Sequence, residues 1–103
     1  MVDDVIITKD WGTYQIIEEK KYYKIKKLVI FPGNTFHITN NKSITNHVSI
    51  VNGNVKIKIG NDELLGNSRS NFNISSGIKC QITNKSFECH LLEILITEIG
   101  IFS

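Results

Sequence analysis

The sequence has one proline, two cysteines and one tryptophan, and no apolar run approaching the roughly 20 residues that a membrane-spanning helix needs. The lack of long apolar runs argues against a helical membrane protein. Two cysteines, Cys80 and Cys89, are too few for a disulfide framework and are read as reduced thiols. Charge of one sign is also scarce. Twelve Lys and Arg against ten Asp and Glu leave a formal +2, too weak a bias to draw the chain onto nucleic acid. Five lysines fall between Lys20 and Lys27, but no aromatic ladder accompanies them, and a solvated strand and turn accounts for them. The opening MVDDVIITKDW carries two aspartates and no basic stretch ahead of a long apolar core, so it lacks the pattern of a secretory signal. A cytoplasmic location is expected.

What is present is alternation. Apolar and polar residues alternate along most of the chain, and turn residues interrupt them every eight to twelve positions or so, the spacing of a β-sandwich or barrel. No stretch has good helical periodicity. Strands are expected at Tyr14–Glu18 and Tyr22–Phe31, with Pro32-Gly33 ending the second, and then at Thr35–Thr39 and His47–Val51. Asn52-Gly53-Asn54 is the strongest hairpin signal, because both residue types tolerate the positive φ that a tight hairpin requires. Val55–Ile59, with lysines at 56 and 58, should have one buried and one wet face. Short strands follow at Glu63–Leu65, Phe72–Ile74 and Lys79–Thr83. The last strand, His90–Glu98, is apolar on both faces and should be central in its sheet or covered by a partner. An N-terminal strand Val5–Thr8 offers a further pairing edge, so a homodimer is expected. One domain, residues 1–103, is the organisation these features allow.

Three stretches carry a family resemblance: WGTYQIIEEKKYYKIKKLVIFPG, VNGNVKIKIGNDELL and NISSGIKCQITN. Together they resemble the C-terminal cupin domain of the type II mannose-6-phosphate isomerase / mannose-1-phosphate guanylyltransferase family, without gaps from Trp11 to Asn84. Trp11-Gly12 with Tyr14, then Tyr23-Lys24-Ile25-Lys26, then Pro32-Gly33 form the more distinctive series. The glycines at 53, 60 and 77 mark many cupins. The family's nucleotidyltransferase part is absent from these residues. The resemblance implies an all-β fold, a small cupin barrel (double-stranded β-helix, or jelly roll).

It also implies a divalent metal held in the barrel by imidazole and carboxylate groups, and here the chain departs from its family. Counting from Gly33 to Gly53, the family's ligand positions hold Thr39, Asn41 and Asn46, and after Gly77 the histidine position holds Cys80. A hydroxyl, two amides and one thiol supply neither imidazole nor carboxylate, so neither a metal nor another cofactor is expected. His37 shares strand parity with Thr39 and Asn41 and should point into the barrel, whereas His47 should point outward. A site rescued by His37 and Cys80 would still lack ligands. Lys24 and Lys26 share a face with Leu28 and Ile30; either they look into a pocket, or they snorkel to water from an edge strand.

The resulting candidate pocket is Lys24, Lys26, His37, Thr39, Asn41, Asn46 and Cys80, suited to a sugar or an anion. Aldose–ketose interconversion needs a base and an electrophile for the enediolate, and without metal ligands the second role has no obvious occupant. The expected function is therefore ligand binding or a structural role without isomerase activity. The alternative is a sugar-phosphate isomerase, or another sugar-modifying enzyme of polysaccharide or nucleotide-sugar biosynthesis, that uses non-standard residues. No catalytic residue is assigned, and neither nucleic acid nor a membrane is expected as a partner.

Overall fold

The computed structural model describes residues 5–39 and 42–102. Among them there is no helix; the chain forms ten strands. These are β1 (Ile7–Lys9), β2 (Gly12–Lys20), β3 (Tyr23–Ile30), β4 (Thr35–Thr39), β5 (Ile44–Asn52), β6 (Val55–Ile59), β7 (Asp62–Gly66), β8 (Asn71–Ile74), β9 (Lys79–Asn84) and β10 (Cys89–Thr97). One sheet has the order β1-β2-β3-β10-β5-β8 and the other β4-β9-β6-β7, and the pairings are antiparallel throughout.

The two sheets bury the inward half of each alternating strand. Leu28 and Ile30 of β3, Val48 and Ile50 of β5, Ile74 of β8 and Leu91 of β10 meet Ile38, Val55, Ile57 and Ile82 of the smaller sheet. The lysines at 56 and 58 are exposed while Val55 and Ile57 are fully buried, as the alternation predicts. β10 lies between β3 and β5, which explains its apolar character on both faces.

Two glycines are required by close packing. A side chain at Gly12 would lie 1.9 Å from the carbonyl oxygen of Val29 across the β2–β3 ladder. Gly53 has φ +115°, and a Cβ there would come within 2.4 Å of the Glu88 carbonyl oxygen. Asn84 joins the two sheets at this end of the barrel. Its buried amide donates to the Ile30 carbonyl at 2.7 Å, and its side-chain oxygen accepts from the Ser86 backbone N–H at 2.8 Å.

At the opposite end the chain folds back after β10. The Phe102 N–H donates to the Lys21 carbonyl, and the Phe102 ring is buried with the Lys24 ammonium 5.1 Å from its centre.

Candidate functional site

Strand parity sets the site. In the β3–β10 ladder Lys26 is directly opposite Glu93, Lys24 opposite Leu95 and Leu28 opposite Leu91. Directly paired residues share a sheet face. Leu28 and Leu91 belong to the core, so Lys24, Lys26 and Glu93 line the same inner face. In the β5–β10 ladder Asn46 is opposite Leu95 and Val48 opposite Glu93, so Asn46 is Glu93's diagonal neighbour on that face. Asn46 and Glu93 are both almost completely buried, and the Asn46 amide N–H donates to Glu93 Oε2.

The two lysines have different partners. Lys24 Nζ is 3.3 Å from Glu19 and forms an ion pair. Lys26 Nζ lies 5.0 Å from the centre of the Tyr14 ring, and among the described residues it pairs with no carboxylate within 4.0 Å. Burial raises the Glu93 carboxyl above its ordinary range; the charges of Lys26 and Lys24 and the Asn46 hydrogen bond pull the other way without cancelling it. Two acceptors in this cluster, Asn46 Oδ1 and Glu93 Oε1, are buried and have no hydrogen-bond partner among the described residues. Unpaired buried acceptors are uncommon, because each loses its hydration without replacement.

Cys80 faces this cluster from the other sheet. Its thiol is pushed up to about 11, first by burial and then by the nearby Glu93 charge, so it is protonated at neutral pH. Cys89 is likewise raised to about 11 by burial, and both thiols are free.

The inward orientation expected for His37 and Thr39 is corrected by the structure. In the β4–β9 ladder Phe36 faces Ile82 and Ile38 faces Cys80, and these pairs point into the core. His37 and Thr39 alternate with them and are exposed on the outer face, opposite Gln81 and Lys79. The hydrophobic gain from burying Phe36 and Ile38 fixes this register, because a slip of one residue would expose both. Asn41 lies outside the described residues. Lys24, Lys26, Asn46 and Cys80 are thus brought to the inner face, and His37 and Thr39 are not. His47 is on the outer face, where its Nδ1 meets Asn73 Oδ1.

Glu93 is the residue that the sequence reading missed. Its signal was available: a single carboxylate within the apolar run Leu91–Ile96, with the parity of Leu91 and Leu95. A charge at such a position in a central strand must face either a partner or a pocket.

Two sheets closed face to face in this order define the cupin class, and solved structures support that assignment. KdgF from Halomonas sp. superposes with TM-score 0.81 at 5% identity, covering 89% of this chain and 84% of that one. A predicted oxalate decarboxylase from Thermotoga maritima superposes with TM-score 0.79 at 13% identity, covering 90% of each chain. The cupin domain of Cnp3 from Schizosaccharomyces pombe gives 0.80 at 11% identity, over 92% of this chain and 70% of that one. No curated protein matches the sequence. The family model described as mannose-6-phosphate isomerase C-terminal matches residues 3–100, and the chain belongs to that family.

The donor set does not fit the metal that this family implies. Thr39 faces outward, the Asn46 amide is engaged with Glu93, Cys80 is a single thiol without imidazole beside it among the described residues, and two ammonium groups stand on the same face. Among the described residues no group of three His, Cys, Asp or Glu side chains converges as a metal site.

Proposed function

We propose that this chain is a metal-independent cupin that binds a small polar ligand, a sugar or an anion, inside the barrel and does not carry out isomerase chemistry. The observation that carries this reading is the Lys26–Glu93–Asn46 cluster, in which two buried acceptors have no partner among the described residues and Asn46 holds one of the positions that the family resemblance gives to a metal ligand. A purely structural barrel gains nothing from burying such groups, since apolar residues of similar volume cost less. Cytoplasmic location and homodimer formation complete the proposal.

A second reading rests on the raised Glu93 carboxyl directly opposite Lys26 in the ladder. A proton acceptor next to a cation is the pair that a metal-free proton transfer α to a carbonyl needs. One experiment separates the two. Turnover of mannose 6-phosphate should stay at background with and without added Mn²⁺ or Zn²⁺, while a panel of sugars and anions should include compounds that raise the melting temperature. Turnover that is abolished by Glu93→Gln would replace the binding reading with the enzymatic one.

A further inference from the structure

The cluster's unpartnered hydrogen-bonding groups define a ligand more narrowly than "a sugar or an anion". We infer that the site recognises the adjacent hydroxyls of a neutral polyol rather than an anionic group, an inference that rests on the binding reading above. Its charges nearly balance. Glu19 neutralises Lys24, and Glu93 lies directly opposite Lys26 in the ladder. Once Glu93 is ionised, an anion brought to Lys26 would stand against its carboxylate in a poorly hydrated interior, where like charges repel strongly.

The unmet groups are two acceptors, Asn46 Oδ1 and Glu93 Oε1, and one donor, the Lys26 ammonium. The acceptors belong to neighbouring side chains already joined by the Asn46 to Glu93 hydrogen bond. A vicinal diol answers all three: one hydroxyl donates to Glu93 Oε1, the next donates to Asn46 Oδ1, and an oxygen of the pair accepts from Lys26. A carboxylate has no donor for these acceptors, and a phosphate, whatever proton it keeps, adds negative charge beside Glu93. The half-buried Tyr14 ring beside Lys26 supplies the apolar surface on which the C–H face of a polyol can lie.

Titration of the isotopically labelled full chain with D-mannitol, and separately with inorganic phosphate and acetate, followed by ¹H–¹⁵N NMR, tests this. D-mannitol should produce saturable shifts at the amides of Lys26, Asn46 and Glu93, and phosphate and acetate should not. In the double variant Lys26→Met/Glu93→Leu, which removes both charges together and so leaves neither buried alone, the mannitol affinity should fall by about tenfold or more. Saturable binding of phosphate or acetate at these amides, whether or not mannitol binds, would overturn the inference and leave the binding reading standing. Mannitol shifts that persist in the double variant would place the diol elsewhere and overturn it too. A chain that responds to none of the three probes, nor to any member of the sugar and anion panel, would overturn both.

Discussion

Glu93 is a carboxyl buried in the barrel, and its surroundings set its proton. Desolvation outweighs two nearby lysines and a hydrogen bond, so the folded chain holds a proton on Glu93 that the unfolded chain releases above the ordinary value of 4.5. The sign of the linkage follows. The stability from this group is fully present below that ordinary value and is lost as pH rises through the higher folded value. Urea unfolding followed between pH 4.5 and neutrality should therefore show wild-type stability declining relative to Glu93→Gln, whose amide does not titrate. Parallel profiles for the two proteins would mean that Glu93 is charged throughout and that its burial is not what sets its protonation. The residue was legible in the sequence only as an anomaly, since its partners Lys26 and Asn46 lie 67 and 47 positions earlier and meet it through strand pairing alone.

At the level of the strand, apolar alternation was the reliable guide and motif spacing was not. The β5–β6 hairpin at Asn52-Gly53-Asn54, the one-sided β6 and the central β10 were all legible because hydrophobic period and turn chemistry act locally. The inward aim assigned to His37 and Thr39 came from counting toward ligand positions, and it ignored Phe36 and Ile38, whose burial decides the face. Substitutions should report that face directly. Ile38→Ala is expected to cost about 2–5 kcal/mol by leaving a cavity against Cys80, while Thr39→Ala should stay within about 0.5 kcal/mol. Chemical denaturation measures both, and a larger loss at Thr39 than at Ile38 would reverse the assignment.

For the molecule as a whole, the inner and outer faces of the larger sheet differ in chemistry. The inner face holds the charged cluster, and the outer face of β10 presents Leu92 and Ile94, both half-buried, with Ile96 and Val51 more exposed around them. Hollows of about 450 and 420 Å³ lie along this strip, one beside Lys27, Val51 and His90 and the other beside His47, Phe72 and Ile94. With β1 open along one edge, this surface suits a second copy of the chain, and light scattering at high micromolar concentration is expected to give a dimer. A strictly monomeric mass would remove that part of the account.

The central claim is that the barrel interior has exchanged a metal set for a lysine–carboxylate–amide cluster. The most direct test is the melting temperature of untagged protein, stripped of metal and then given one equivalent of Mn²⁺, Zn²⁺ or Ni²⁺. A metal that binds only the folded state must raise the melting temperature, so the prediction is no shift with any of the three. A rise that saturates at one ion per chain would contradict the account.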